Sequence, residues 1–254
     1  MGDALSASKI PREELIISSK FHIDTLYANK YYRGKRKIFN IRNFKSIRDT
    51  VEESLIKLNI DYLDILFIHW PWDKYQNIYK EIIKLYQDDL IKSIGVCHFT
   101  QGHLESLKSI SNVMPVINQI EISPLNTQKG LIKYCQDNGI MVEAVSTFSH
   151  FQSSKPRLEI INNEILNRIA ESHHKSTVQV VLRWLIQQNI VVIPKSSNSD
   201  HIKENIDIFD FSLDMEEMAL IDSLNEGRCL NYNPYAPHII KNIPRQFRHY
   251  SNLM

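Results

Sequence analysis

Six short apolar runs alternate with amphipathic stretches along this chain of 254 residues. The runs are apolar on consecutive positions rather than on alternate ones, which is typical of parallel strands that are buried on both faces. We predict strands over residues 15–19, 62–68, 92–96, 116–122, 141–146 and 191–194. A helical period predicts helices over residues 46–58, 75–86, 102–109, 127–137, 164–173, 178–187, 201–206 and 216–224.

The regular succession of strand and helix predicts an α/β fold, either a doubly wound sheet or a (β/α)8 barrel. No linker or low-complexity tract divides the chain, so we predict a single domain over residues 1–254. Residues 21–44 break the alternation with three tyrosines and a basic run. We predict a long loop insertion there, and a solvated loop is favoured over an anion-binding or nuclear-import patch. Ser199 and Asp200 predict the N-cap of the helix that follows them.

Charge, the length of the apolar runs and the cysteine content exclude several classes of protein. The 30 Lys and Arg residues balance 29 Asp and Glu residues, so the chain lacks the basic excess typical of proteins that bind nucleic acids or anionic membranes. No apolar run approaches the roughly 18 residues that cross a bilayer, and no secretory pattern is present. Three widely spaced cysteines predict neither a disulfide framework nor a metal site. We therefore predict a cytoplasmic protein that uses no metal and contacts neither nucleic acids nor membranes.

Polar and titratable side chains follow the predicted strands. Because the carboxyl ends of parallel strands form the active sites of β/α folds, these residues are the candidates for chemistry. They are Lys20, His69, Trp70, Cys97, His98, Gln119, Ser146, Thr147, Lys195 and Ser196. Each one alone is more often structural, but polar residues after all six strands predict a shared pocket. The sequence has no GxGxxG or GxxxxGK[ST] motif, which argues against a Rossmann or P-loop nucleotide site.

Six segments resemble the aldo-keto reductase family, in the family's order and at compatible spacing. They are PREELIISSK (11–20), DYLDILFIHWP (61–71), IGVCHF (94–99), NQIEISP (118–124), IPKS (193–196) and KENIDIFDFSL (203–213). The resemblance implies a (β/α)8 barrel that binds NADPH without a glycine-rich motif. It also implies hydride transfer from the nicotinamide to the carbonyl carbon of a small aldehyde or ketone.

The resemblance also implies roles for individual residues. Lys20 and His69 would be catalytic, the lysine lowering the pKa of a tyrosine proton donor and the histidine orienting the carbonyl. Trp70 would line the substrate pocket. Nine residues would bind the cofactor: Cys97, His98, Gln119, Ser146, Lys195, Ser196, His201, Glu204 and Asn205. Within this set, Gln119 would bind the nicotinamide carboxamide, Ser146 would lie near the pyrophosphate, Lys195 and Ser196 would hold the 2′-phosphate, and Glu204 and Asn205 would contact the adenine.

The sequence departs from the family in several places. The family's catalytic aspartate and tyrosine precede the helix at which Met1 falls, and six βα units are present where a barrel needs eight. We therefore expect a barrel that is incomplete at its N-terminus, whose open edges favour self-association. The string at 22–27 contains an aspartate and a tyrosine, but it follows Lys20 and is taken as coincidence. His201 replaces a family arginine near the 2′-phosphate and Val145 replaces a stacking aromatic, so NADH is a possible second cofactor.

Three functions remain open from the sequence. The first is an NAD(P)H-dependent oxidoreductase that reduces an aldehyde or ketone to an alcohol. The second is a non-catalytic nucleotide-binding or interaction subunit derived from a reductase, which the missing aspartate and tyrosine favour. The third is a fragment without molecular activity.

Overall fold

Six strands form one sheet in the order β1-β2-β3-β4-β5-β6, so that each strand neighbours the next one in the chain. The computed structural model describes residues 2–21, 46–148, 155–229 and 235–252. The strands are β1 (Ser18–Phe21), β2 (Leu63–Ile68), β3 (Ile91–Cys97), β4 (Ile117–Glu121), β5 (Met141–Val145) and β6 (Ile190–Val192). The predicted insertion at 21–44 lies outside the described residues except for Phe21, and so does the string at 22–27.

Eleven α-helices occur in the described part of the chain. They are α1 (Gly2–Ala7), α2 (Ile47–Leu58), α3 (Tyr75–Gln87), α4 (Gln101–Lys108), α5 (Lys129–Asp137), α6 (Lys155–Ile161), α7 (Glu164–Ser172), α8 (Thr177–Gln187), α9 (Ser199–Ile206), α10 (Met215–Asp222) and α11 (Pro237–Ile240). Two 3₁₀ helices span Arg12–Glu14 and Arg245–Asn252. All eight predicted helices are present. The sequence pattern misses α1, α6 and α11, which are too short to show a helical period.

The predicted start of the first strand is wrong, because β1 begins three residues later, at Ser18. Two side chains form hydrogen bonds with the backbone of residues 15–17, which replace the backbone bonds that a longer strand would need. Arg12 Nη1 donates to the Leu15 carbonyl at 2.7 Å, and Asp64 Oδ2 accepts from the Ile17 amide at 2.7 Å. The strand therefore begins at Ser18, and Lys20 lies within it rather than after it.

The N-cap predicted for α9 is also wrong. Asn198, one residue earlier than predicted, is the cap, and its side chain accepts a hydrogen bond from the Asp200 amide at 2.8 Å. Asparagine caps helices as well as serine does, and the extended backbone of Asn198 meets the requirement for an N-cap. Ser199 is then the first residue of the helix.

The described residues divide into two compact units. The first unit consists of Met1–Ile117 and Pro237–Tyr250, and the second consists of Asn118–Ala236 and Ser251–Met254. The first unit contains β1, β2 and β3, which pair in parallel. The second unit contains β5 and β6, which also pair in parallel.

A row of three paired residues crosses the first unit's strands. Lys20 pairs with Phe67, and Phe67 pairs with Gly95. The Lys20 Nζ atom lies 5.7 Å from the centre of the Phe67 ring. A Cβ atom on Gly95 would approach the same ring to 2.5 Å, so glycine leaves the space that the phenylalanine fills. The ring is 1% exposed and cannot turn out into solvent.

In the second unit, α8 connects several elements. Ser176 and Gln179 form a capping box at its start. Near its end, the Gln187 side chain accepts from the Leu213 amide at 2.7 Å and donates to the Leu213 carbonyl at 2.9 Å. Trp184, which is fully buried, donates through its indole N–H to Asp222 at 3.1 Å. These bonds fix α10 and its preceding segment against α8.

The row in the first unit gives a prediction for stability. We expect Gly95→Ala to lower the free energy of unfolding by about 1–3 kcal/mol, because the new methyl group overlaps a buried ring. Denaturant unfolding measures this change. Gly130→Ala is the matched control, since a Cβ at that exposed helical position meets no atom within 4 Å. Equal midpoints for the Gly95→Ala variant and the wild type would contradict the prediction.

Candidate functional site

Four of the predicted site residues lie together in the first unit. We call Lys20, His69, Trp70 and His98 the His98 cluster. The His69 amide donates to the Phe21 carbonyl at 3.1 Å, which fixes His69 directly beyond the ends of β1 and β2. The Trp70 and His98 rings are stacked, with their centres 4.1 Å apart and their planes inclined by 11°. The centres of the His69 and Trp70 rings are 5.2 Å apart.

The pKa of His98 is lowered by burial and by neighbouring charges. Burial lowers the pKa of His98 to about 3, and the nearby charges of His69 and Lys20 lower it further in the same direction. Both predicted catalytic residues are therefore close enough to His98 to act on it electrostatically. The imidazole is neutral at physiological pH. The sequence-based grouping of Lys20 with His69 agrees with this geometry, while their catalytic roles stay predictions.

Cys97, the last residue of β3, has a different environment. Its side chain is fully buried and packs in an apolar cluster with Phe67 and Ile117. The next residue, His98, has a φ of 60°, in the left-handed region that non-glycine residues rarely adopt. This turn directs the chain away from the strand axis immediately after Cys97. The predicted contact between Cys97 and a cofactor stays a prediction.

The second unit contains a cavity of about 680 Å³. Its walls come from the end of β5, from α6, α8 and α9, and from the segment after β6. The residues that line it are Ala144, Val145, Ser146, Thr147, Phe148, Arg157, Val178, Leu182, Val192, Ile193, Pro194, Lys195, Ser196, His201, Glu204 and Asn205. Six of the nine predicted cofactor-binding residues are in this set. Its volume falls within the range of small-molecule sites, about 300–1,000 Å³. Because these six residues are the ones predicted to bind a dinucleotide, we call it the dinucleotide-sized cavity.

One face of α9 supplies three of the lining residues. His201, Glu204 and Asn205 are three and four positions apart, so their side chains project on the same side of the helix. Asp207, at the end of α9, fixes this helix. Its carbonyl accepts from Gln179 Nε2 at 2.7 Å, and its carboxylate accepts from Lys175 Nζ at 2.8 Å. The α9 face is therefore held in place by α8 and the segment before it.

Ser146 resembles His98 in its backbone geometry. It is the first residue after β5, and its φ is 58°. Such a conformation at a non-glycine residue costs about 1–3 kcal/mol and persists only where the surrounding structure imposes it. Six other described non-glycine residues outside the two candidate sites also have a positive φ, so the conformation shows a sharp turn after β5 and does not by itself identify a functional site.

Gln119 lies apart from the cavity lining. It is a buried residue of β4, and its side-chain amide donates a hydrogen bond to the Glu143 carboxylate of β5. The carboxylate fixes the orientation of the amide, because a carboxylate accepts hydrogen bonds and does not donate them. The predicted bond from Gln119 to a nicotinamide carboxamide stays a prediction.

Arg157 is a lining residue that the sequence analysis misses. It lies on α6, which falls outside all six family-like segments. The sequence carries no motif around this position, and an exposed arginine is most often a solvated surface residue. Only the folded arrangement of α6 shows that its side chain faces the same space as Lys195.

Two general searches complete the description of the site. Over the described ranges, no group of three or more His, Cys, Asp or Glu residues has the arrangement of a metal site. In the same part of the chain, no helix is long and apolar enough to span a membrane.

The chain matches the aldo/keto reductase family over residues 1–226. It is 39% identical to the glyoxal reductase of Bacillus subtilis (strain 168) over 235 residues, which cover 92% of this chain and 77% of the relative. Among solved structures, an aldo-keto reductase, MGS-M4, from a Medee basin deep-sea metagenome library aligns with a TM-score of 0.77 at 32% identity, covering 91% of this chain and 79% of that one. The Bombyx mori aldo-keto reductase in complex with NADP aligns with a TM-score of 0.74 at 32% identity. The alignment covers 91% of this chain and 75% of that one.

This chain belongs to the aldo/keto reductase family. The family resemblance inferred from the six segments is confirmed. The predicted α/β fold of the aldo-keto reductase (β/α)8 type is confirmed as well.

The environment of His98 predicts a pH dependence of stability. Its pKa is about 3 in the folded chain, whereas an unfolded histidine has a pKa of about 6.5. Below about pH 6.5 the unfolded chain binds a proton that the folded chain does not, so the free energy of unfolding falls as the pH falls. His98 accounts for about 2 kcal/mol of the loss between about pH 7.5 and about pH 5. Buried His103, whose pKa is also lowered to about 3, adds to the loss.

We expect His98→Asn to reduce the loss of stability between these two pH values, since asparagine does not titrate and tolerates a positive φ. Denaturant unfolding at each pH measures the difference. His174→Asn is the control, because His174 also has a positive φ but is exposed. An unchanged pH dependence in His98→Asn would show that His98 is not held neutral in the folded chain.

Proposed function

We propose that this chain is an NADPH-dependent carbonyl reductase that converts a small aldehyde or ketone to an alcohol. The observation that carries the proposal is the dinucleotide-sized cavity, which is lined by six residues that the family resemblance assigns to the cofactor. The named activity of the Bacillus subtilis relative, glyoxal reduction, supports a small carbonyl substrate, and the NADP complex of the Bombyx mori enzyme supports the cofactor.

The chemistry of the cavity fits a phosphorylated dinucleotide. Lys195 and Arg157 supply positive charge, and Ser146 and Ser196 supply hydroxyl groups that donate to phosphate oxygens. Glu204 and Asn205, which are half-buried, can hydrogen-bond the adenine or its ribose. Apolar side chains such as Val178 and Leu182 form the remaining wall against which a base can pack.

The His98 cluster supports the reaction at the carbonyl group. Bound NADPH supplies the hydride. The imidazole of His69 can donate a hydrogen bond to the carbonyl oxygen, on which negative charge develops as the hydride arrives, and a proton from water completes the alcohol. The ammonium group of Lys20, an exposed residue near His98, can stabilise that charge electrostatically. Trp70, stacked on the neutral imidazole of His98, offers an apolar surface to the substrate.

A second candidate function is a non-catalytic nucleotide-binding subunit. It is favoured by the departures from the family at Val145 and His201, both of which line the cavity. A subunit of this kind would bind the dinucleotide without turning over a carbonyl substrate.

Several further properties are proposed together with this function. We propose that residues 1–254 form one aldo-keto reductase-like domain, that NADH can replace NADPH, and that the protein acts in the cytoplasm, where it would use its small-molecule substrate. Self-association through sheet edges is a separate proposal, since an unpaired strand edge can pair with a second chain. Sedimentation analysis tests it, and a single monomeric species over a wide range of concentrations would contradict it.

The activity is tested by following NADPH consumption by the full chain with glyoxal and with an aromatic aldehyde. We expect turnover in the wild type. We expect His69→Ala and Lys20→Met to lower kcat by about a hundredfold or more, because each removes an interaction with the reacting oxygen. Lys80→Met is the matched control, since Lys80 is exposed on α3 and lies outside the cluster.

Binding is measured separately, through the change in tryptophan fluorescence on addition of NADPH. Tight binding without turnover would replace the reductase by the non-catalytic subunit. Neither binding nor turnover would contradict both functions and leave a fragment without molecular activity.

A further inference from the structure

We propose that Arg157 binds the 2′-phosphate of NADPH and thereby makes this chain prefer NADPH over NADH. This inference rests on the proposed function, because it assumes that the dinucleotide-sized cavity holds the cofactor. It goes beyond it by assigning cofactor specificity to a residue outside every segment that resembles the family.

The position of Arg157 supports the assignment. It lines the same cavity as Lys195 and Ser196, the two residues predicted to hold the 2′-phosphate. Its exposed side chain forms no ion pair with another described residue. The other arginines of the second unit that the structure describes are placed differently. Arg183 bonds to the Ile208 carbonyl at 3.2 Å, Arg228 pairs with Glu159 at 2.6 Å, and Arg168 lies outside the cavity lining.

The helix that carries Arg157 is anchored on two sides. Ile160 of α6 is buried to 1% exposure, so the helix packs against the second unit's core. On its exposed side, Glu159 forms the ion pair with Arg228. These contacts of Glu159 and Ile160 hold the helix that carries Arg157 at the wall of the cavity.

The charge of a phosphate monoester requires a second cation. Such a group carries about −1.5 to −2 charges near neutral pH. Lys195 supplies one positive charge, and Glu204 brings a negative charge to the same cavity. An arginine is always charged. Arg157 therefore provides a permanent positive charge in addition to that of Lys195.

Arginine also matches the geometry of the ligand. Its planar guanidinium can donate two parallel hydrogen bonds to two oxygens of one phosphate. Each phosphate of the pyrophosphate bridge carries only about one negative charge, so the 2′-phosphate gains more from the added cation. NADH lacks the 2′-phosphate and would gain nothing. The loss of the family arginine at His201 is then offset from a different helix.

The experiment compares dissociation constants for NADPH, NADH and 2′,5′-ADP, measured with the wild type, Arg157→Met, Arg157→Lys and the control Arg168→Met. We expect Arg157→Met to raise the dissociation constants of NADPH and 2′,5′-ADP by about tenfold or more, because a charged, bidentate contact is lost. NADH should change by less than about twofold. Arg157→Lys should keep part of the affinity, because it preserves the charge but not the planar group. Circular dichroism verifies that each variant folds.

Three outcomes would overturn the inference. Unchanged NADPH affinity in Arg157→Met would show that the residue does not contact the cofactor. An equal loss of affinity for NADPH and NADH would show that Arg157 contacts a portion of the dinucleotide that both molecules share. Failure of the wild type to bind any of the three ligands would refute the proposed function and this inference together, whereas the first two outcomes leave the proposed function intact.

Discussion

The parallel register of β1, β2 and β3 determines where the chemistry of the first unit lies. Pairing of Lys20 with Phe67 and of Phe67 with Gly95 aligns the ends of the three strands, so the residues that follow β2 and β3 emerge at one edge. A shift of one residue in a strand would turn its side chains to the other face of the sheet. Lys20 would then leave the Phe67 ring, and its charge would no longer act on His98. The glycine at position 95 protects this register, because only a residue without a side chain accommodates the Phe67 ring beside it.

Both units use the same local device where a strand meets its site. His98 follows β3 and Ser146 follows β5, and each has a φ near 60°. The left-handed conformation changes the backbone direction within one residue, so the chain leaves the strand direction immediately after β3 and β5. The conformational cost is borne by the rest of each unit, in which the strands and their packed helices hold the turn in place. At His98 the same packing removes water from the imidazole and keeps it uncharged, so the cluster holds fewer positive charges than its composition suggests.

The sequence predicts the parts of this structure that depend on local pattern. Consecutive apolar residues identify all six strands, and the polar residues after them include four that line the cavity, Ser146, Thr147, Lys195 and Ser196. The misplaced start of β1 has a tertiary cause, since Arg12 and Asp64 compete for the backbone of residues 15–17 and Asp64 is distant in sequence. Arg157 could not be predicted for a similar reason. Its helix has no motif, and its relation to Lys195 exists only after α6 packs through Ile160. Local patterns thus predict what a strand or helix is, while long-range packing decides which exposed side chains share a cavity.

The division of the candidate residues between the two units allows dinucleotide binding and carbonyl reduction to be tested by separate substitutions. Every residue that lines the dinucleotide-sized cavity belongs to the second unit, whereas the His98 cluster belongs entirely to the first. The side chains proposed to bind phosphate and those proposed to act on the carbonyl group therefore belong to different units, and each set can be substituted without changing the other. A substitution at Arg157 leaves Lys20 and His69 in place, so its effect on dinucleotide affinity can be measured apart from turnover. His98 is the member of the cluster that is also a predicted cofactor-binding residue, so Lys20 and His69 are the positions at which a binding measurement separates the two proposed roles.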